Sequence, residues 1–305
     1  MPTQPDDEAV CSGETAGSPE PRGARILGHV ARSEVLGPFT WLTVTAPGWQ
    51  EASAGQFALV QWEKSRTLLP RALSVAAQGE NEVSFLIAPV GQATRELCGL
   101  REGDRVWILG PLGRGFDLPA LVGEGRRTVV VAGGVGVAPF SLLLTALRDK
   151  MCSSSGSLSA GRLRPSLSPG FGVLVLLGFR DSLQLAGAEP VFRVAADLRE
   201  AGFPCRVEVV TEDGSQSPAA KVTDLLGRHL LPGDRLAVCG PWEMARAVQH
   251  LCLGVEDVRA WYSLEANMAC GVGSCHGCAV PLADGSFARV CHEGPVFAGE
   301  DIFGG

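Results

Sequence analysis

The chain has 305 residues, 46% of them apolar and 19% charged, with a formal charge of −7. That profile fits a globular protein long enough for two or three compact units. The acidic balance, without a basic stripe, excludes a nucleic-acid partner, and the longest apolar runs, "TVVVAGGVGVAPF" and "GVLVLLGF", are too short or too broken by glycine to span a membrane. Residues 1–22 carry Pro, Gly, Ser and acids with almost no large apolar side chain, and are expected to form a disordered leader. They lack the basic and apolar regions of a secretory signal, so the expected compartment is the cytoplasm. There the ten cysteines serve as thiols or metal ligands more readily than as disulfides.

From 23 to 122 strand signals dominate. "ARILGHVARSEV", "FTWLTVTA", "GQFALVQWE", "RALSVAA", "NEVSFLIAPV" and "DRVWILGPLG" are rich in β-branched or aromatic residues and are bounded by Pro, Gly, Asn and Asp. Short strands at this spacing predict an antiparallel barrel or sandwich. One helical stretch, "GQATRELCGL", interrupts them. From Thr128 the pattern becomes strand, glycine turn, helix, and repeats in alternation to residue 258. Such alternation predicts a parallel sheet covered by helices, within residues 123–258. Residues 152–170, "CSSSGSLSAGRLRPSLSPG", read as a flexible insertion. Residues 259–305 form a third block that holds the clustered cysteines. The expected class is a multidomain α+β and α/β protein.

Cys270, Cys275, Cys278 and Cys291 follow the spacing C-x4-C-x2-C-x12-C. This matches the plant-type 2Fe-2S pattern, in which four thiolates hold the cluster. Gly271, Gly273 and Gly277 are expected to take positive φ, so that the loop wraps closely and turns its N–H groups toward an anionic centre. Zinc is the alternative occupant of four thiolates, although zinc sites more often show paired C-x2-C. His276 and His292 each follow a cysteine and are read as bystanders or hydrogen-bond donors near the sulfurs. Cys11, Cys98, Cys152, Cys205 and Cys252 show no ligand spacing.

"VVVAGGVGVAPF" places Gly133, Gly134 and Gly136 between a strand and a helix. Glycines there admit a phosphate close to the backbone, and a helix N-terminus offers it free N–H groups. A turn that only packs helix on sheet is the plainer alternative. Upstream, Arg71 and Ser74 stand in an R-x-x-S arrangement at the start of a strand, and Thr94 opens the short helix. Arg71 suits a pyrophosphate, and Ser74 suits a hydrogen bond near a flavin ring.

In chain order, "RALS" (71–74), "GPLGRGF" (110–116), "AGGVGVAPF" (132–140), "TEDGS" (211–215), "CGPWEM" (239–244), "SLEANMACGVGSCHGC" (263–278) and "VCHEGPVF" (290–297) resemble the ferredoxin–NADP reductase superfamily. Within it they are most similar to the electron-transfer subunits of NAD-dependent dihydroorotate dehydrogenase. The resemblance covers roughly residues 23–300. It implies an antiparallel flavin-binding β-barrel, a parallel-sheet nucleotide-binding domain and a C-terminal 2Fe-2S lobe. It implies FAD held by Arg71, Ala72, Leu73 and Ser74, with further contacts from Leu86, Ile87 and Ala88 and from the Ala93–Thr94 step. It implies NAD, as the exchanging substrate, at Gly133, Gly134, Gly136, Cys239, Gly240 and Pro241. The implied partner is the FMN-bearing catalytic subunit, in a heterotetramer of two plus two, acting in pyrimidine synthesis. A reductase subunit serving ferredoxin, NADP or a hydrogenase is the alternative within the class. A cysteine-cluster redox sensor or zinc protein is the alternative outside it. The family has proline where Ala72 stands and glycine where Ala93 stands. If that second position requires positive φ, alanine is strained there.

Overall fold

The structure, a computed structural model, describes residues 24–122, 126–154 and 172–304. The leader, with Cys11, and most of the 152–170 insertion lie outside the described residues. Each strand expected in the first half is present. β1 (Ala24–Leu36), β2 (Phe39–Thr45), β3 (Phe57–Trp62), β4 (Arg71–Ser74), β5 (Ala77–Gly79), β6 (Glu82–Ile87) and β7 (Arg105–Leu112) form one curled antiparallel sheet. Its order is β4-β3-β7-β1-β2-β6-β5. α1 (Gln92–Cys98) lies between β6 and β7. α2 (Leu118–Leu121) follows, its N-terminus capped by the Asp117 carboxylate, which accepts from the Ala120 N–H at 3.1 Å.

The second half alternates as its sequence pattern requires. β8 (Arg127–Gly133) leads through a 3-10 turn at Gly134–Val137 into α3 (Ala138–Ser154). Then come β9 (Gly172–Phe179), a 3-10 segment at Ser182–Ala188, α4 (Glu189–Glu200), β10 (Cys205–Thr211), α5 (Val222–His229), β11 (Arg235–Cys239) and α6 (Trp242–Leu253). The interiors of β8 and β9 are buried on both faces, which is why they read as continuous Val and Leu runs.

The third block contributes to this sheet. β12 (Arg259–Ser263) pairs parallel with β11, and β15 (Val296–Ala298) pairs antiparallel with β12. The order is therefore β10-β9-β8-β11-β12-β15. β13 (Ala279–Pro281) and β14 (Phe287–Arg289) make a separate hairpin, and α7 (Gly299–Phe303) closes the described chain. Among the described residues, no helix is long and apolar enough to cross a membrane.

The two sheets share their packing. One buried apolar cluster runs from Val30, Leu42 and Phe85 through Phe140 and Leu143 to Val175. Buried Ser141 on α3 donates to the Ala76 carbonyl at 2.5 Å and ties the halves together. A second cluster joins Leu59 and Leu112 of the curled sheet to Val131 and Val238 and to Leu264, Val290 and Ile302 of the third block. Two motifs far apart in sequence meet at this joint. Gly113, at φ +73°, lies so close to Gly294–Pro295 that a Cβ on it would sit 2.6 Å from the Gly294 carbonyl oxygen. "GPLG" and "EGPVF" are thus two sides of one contact.

Candidate functional site

The parallel sheet fixes the first part of the site. From β8 the chain runs outward to β9 and β10, then returns to β11 on the other side of β8. The crevice at such a reversal, beyond the carboxyl ends of the strands, is where open α/β sheets bind ligands. Here it lies between the ends of β8 and β11, where Ala132 pairs with Cys239. Gly136 must be glycine. A Cβ there would lie 2.5 Å from the Cys239 carbonyl oxygen and 2.9 Å from Gly240 Cα. A cavity of about 860 Å³ opens at this point, lined by Gly133, Gly134, Gly136, Gly240 and Pro241, and also by Arg180 and Lys221.

A second cavity, about 570 Å³, opens beside it. Arg71, Ala72, Leu73, Ser74, Leu86, Ala88 and Thr94 line it on the curled-sheet side. Ile87 is fully buried and is not a lining residue, because side chains alternate along a strand and its neighbours take the cavity face. Ala93 likewise is buried and absent from the lining. It lies inside α1 and outside the residues with positive φ, so alanine is unstrained where the family has glycine. The Thr94 hydroxyl accepts from the Gly91 N–H at 2.9 Å and donates to the Gly91 carbonyl at 3.1 Å, so it holds the helix start. The first-turn N–H groups of α1 are the ones helix geometry leaves for a ligand. The Arg71 guanidinium donates to the Leu69 and Pro70 carbonyls, and no acid among the described residues pairs with it.

The cavities share Ala88, Val90, Val135 and Glu265 as common walls. Cys239 does not line either one. It is buried beneath the cleft, where desolvation and then the Glu265 carboxylate push its thiol far up, keeping it neutral. Its expected place beside the nicotinamide is therefore corrected: Gly240 and Pro241 face the cavity, and Cys239 supports them from the strand.

The cysteine loop starts from the second cavity. Ala266, Asn267 and Met268 line that cavity, and Cys270 follows two residues after Met268. Gly271, at φ +70°, packs so that a Cβ would fall 2.7 Å from Leu59 Cδ1. Gly273, at φ +83°, donates its N–H to Cys291 Sγ at 3.2 Å. The third left-handed residue is His276, at φ +57°, and not Gly277. A Cβ on Gly277 would make an ordinary 3.6 Å contact with Cys275 Sγ, so glycine is not demanded there.

The four thiols gather as two pairs. Cys275 and Cys270 hydrogen-bond through their side chains, and the Cys275 N–H also donates to Cys270 Sγ at 3.4 Å. Cys278 and Cys291 hydrogen-bond likewise, with the Cys291 N–H donating to Cys278 Sγ at 3.4 Å. Among the described residues, no three His, Cys, Asp or Glu side chains converge on a single ion. Two thiol pairs, each met by backbone N–H groups, are the donor set that a cluster of two irons uses. Desolvation opposes ionisation of Cys270, yet the N–H groups of Val272, Cys275 and Ser274 and the Cys275 thiol bring it down to about 7. Burial, and then the Cys278 thiol, push Cys291 up to about 12. Cys275 is exposed, while Cys278 and Cys291 are buried.

Residues 265–303 match the family model described as the iron-sulfur cluster binding domain of dihydroorotate dehydrogenase B. Proteins named dihydroorotate dehydrogenase B (NAD(+)), electron transfer subunit, match over most of their length. The one from Clostridium perfringens is 32% identical over 82% of this chain and 87% of its own. The one from Bacillus velezensis is 33% identical over 81% and 86%. This chain belongs to that electron-transfer-subunit family. Its fold is shared more widely. An NADH-dependent reduced ferredoxin-NADP oxidoreductase superposes with a TM-score of 0.68 at 22% identity, covering 90% of this chain and 89% of that one. A ferredoxin NADP+ reductase from Neisseria gonorrhoeae, with bound FAD and NADP, gives 0.56 at 20%, covering 75% and 91%.

Most of the motif residues line two adjoining cavities, and the cysteine loop follows the second along the chain. Sequence reasoning missed Glu265, which sits between the two cavities, and Arg289, which reaches the cysteine loop from β14. Glu265 carried a signal only as part of "SLEANMACG"; nothing in its spacing marks a site. Glu265 is exposed at the mouth of the cleft, yet desolvation by the surrounding walls pushes its carboxyl up from 4.5. The folded chain thus binds this proton more tightly than the unfolded chain. Its contribution to stability is full below 4.5 and falls as pH rises through the window above it. Thermal melts of wild type and Glu265→Gln should therefore diverge in that window, with wild type losing ground as pH rises. A constant difference between the two would contradict the desolvated carboxyl.

Proposed function

We propose that this chain is the electron-transfer subunit of an NAD-dependent dihydroorotate dehydrogenase. It passes electrons from an FMN-bearing catalytic subunit, which oxidises dihydroorotate to orotate in pyrimidine synthesis, to NAD+. The carrying observation is continuity: the nucleotide cleft and the second cavity share walls, and Ala266, Asn267 and Met268 of the second cavity lead directly into the four-cysteine loop. Bound FAD supplies the chemistry that links two-electron hydride exchange with nicotinamide to one-electron exchange with an iron–sulfur cluster. Residues 23–122 make the FAD unit, 123–258 the NAD unit, and 259–305 the cluster lobe, which lends β12 and β15 to the nucleotide sheet.

Arg71 would bind the FAD pyrophosphate, exchanging two loop carbonyls for a charged acceptor. Ala72, Leu73 and Ser74 would hold the flavin edge against Leu86 and Ala88. Gly133, Gly134, Gly136, Gly240 and Pro241 would let the nucleotide approach the strand ends. Cys270, Cys275, Cys278 and Cys291 would hold a 2Fe-2S cluster. Its loop is exposed at Ser274, Cys275 and His276, which supports a second protein docking there. Two copies of each subunit make the assembly.

Anaerobic purification tests this reading. The expected spectrum combines a flavin envelope with 2Fe-2S bands, and adding the catalytic subunit with dihydroorotate should yield NADH. A colourless, zinc-containing protein would refute it. Arg71→Ala should weaken FAD by about one to two orders of magnitude, as expected for a lost charge-assisted contact of about 1.5–3 kcal/mol. Flavin lost on gel filtration gives the readout, with the cluster bands unchanged.

A further inference from the structure

Arg289 is not a ligand, yet it lies against the cysteine loop, and Glu293 pairs with it. Arg289 Nη1 donates to the Gly273 carbonyl at 2.9 Å. The N–H of that same Gly273 donates to Cys291 Sγ at 3.2 Å, so Arg289 grips the peptide segment that meets a ligand sulfur. On its other side Arg289 meets Glu293: Nε lies 3.1 Å from Oε2, and Nη2 bonds Oε1. The Arg289 N–H also donates to Glu293 Oε2, at 2.7 Å. His292 packs its ring over Gly273 and sets Nδ1 3.0 Å from Glu293 Oε1. The pair is thus oriented, with the cation on the loop side and the carboxylate behind it. Both side chains are only about a third exposed or less, at 28% and 33%, so water screens them incompletely.

We propose that Arg289 and Glu293 act as an oriented ion pair that sets the reduction potential of the cluster, Arg289 raising it and Glu293 lowering it. This rests on the reading that Cys270, Cys275, Cys278 and Cys291 hold a 2Fe-2S cluster. Reduction adds one electron to the cluster and breaks no bond, so the reduced form is one charge more negative. A nearby cation stabilises that form, and a nearby carboxylate opposes it. Arg289 is a positioning residue as well, because its fork fixes the Gly273 peptide, whereas a lysine keeps the charge and loses the fork.

The test is a mediated redox titration of the FAD- and cluster-loaded protein at fixed pH, followed by visible absorbance and EPR. Arg289→Gln should shift the cluster midpoint to more negative potential. Glu293→Gln should shift it the opposite way. Arg289→Lys should stay near wild type, yet lose iron to a chelator about tenfold faster, as loss of an outer-shell contact predicts. Unshifted midpoints, or shifts of the same sign in Arg289→Gln and Glu293→Gln, would overturn the proposal. Should Arg289→Gln fail to hold a cluster, Glu293→Gln decides alone: a positive shift supports it, and no shift or a negative one overturns it. A wild type with no 2Fe-2S spectrum would overturn the ligand reading and this inference with it. Normal wild-type spectra with unmoved variants would overturn this inference alone.

Discussion

Replacing Cys275 by serine should abolish the cluster absorbance and EPR signal while FAD stays bound. Cys275 is the exposed member of its thiol pair, and its N–H and side chain both address Cys270. A serine hydroxyl is a harder and far less acidic donor than a thiol, so the pair loses its second soft ligand. The cavity proposed to hold FAD is walled by Arg71–Ser74, Leu86 and Ala88 and does not include Cys275. Iron content should fall to near zero, and NADH should still reduce the flavin. Electron transfer from the catalytic subunit to NAD+ should stop. Cluster bands surviving unchanged would show that another residue is the ligand.

The second large effect is expected at Gly136. Alanine there places a methyl 2.5 Å from the Cys239 carbonyl oxygen and 2.7 Å from its carbon. Both neighbours are backbone at the end of a buried strand, and neither can swing aside as a side-chain tip would. The turn after β8 must back away from β11, which distorts the crevice between them. Overpacking of this kind costs about 1–3 kcal/mol. If most of that cost falls on the nucleotide cleft, NADH binding weakens by about ten- to hundredfold, since 1.4 kcal/mol is tenfold. Cluster bands should be kept, because the residues that the methyl crowds, Cys239 and Gly240, are not in the cysteine loop; Val135 of the same turn also walls the second cavity, so flavin content is measured alongside. Steady-state KM for NADH, with dithionite reduction of the flavin as a control, separates the effects. An unchanged KM would mean the turn has room the geometry denies.

Much of the fold is legible in the sequence because its signals are local. Val129, Val130 and Val131 are buried on both faces of a strand, so they form an unbroken apolar run. The glycines after them break that run where backbone must pass close to backbone. The cysteine spacing is legible for the same reason: one short loop carries three of the cysteines, and the fourth comes directly after the next hairpin. Positions 277 and 93 were harder. Whether a residue takes positive φ depends on how the loop is anchored, and the anchors lie outside it. His276 takes the left-handed turn in place of Gly277, and Ala93 sits in ordinary helix.

The sequence by itself determined the elements, their alternation, the ligand spacing and the family, because each is written in residues near one another in the chain. Only the tertiary structure decided which of them meet. It put Gly113 against Gly294, β12 and β15 on the edge of the nucleotide sheet, and Glu265 on the wall between two cavities. It turned Cys239 inward and brought Arg289, paired with Glu293, to the cysteine loop. The reason is physical. Contacts between distant segments follow from how sheets twist and bury their faces together, and a sequence pattern records which side of a strand is apolar, not which surface will cover it.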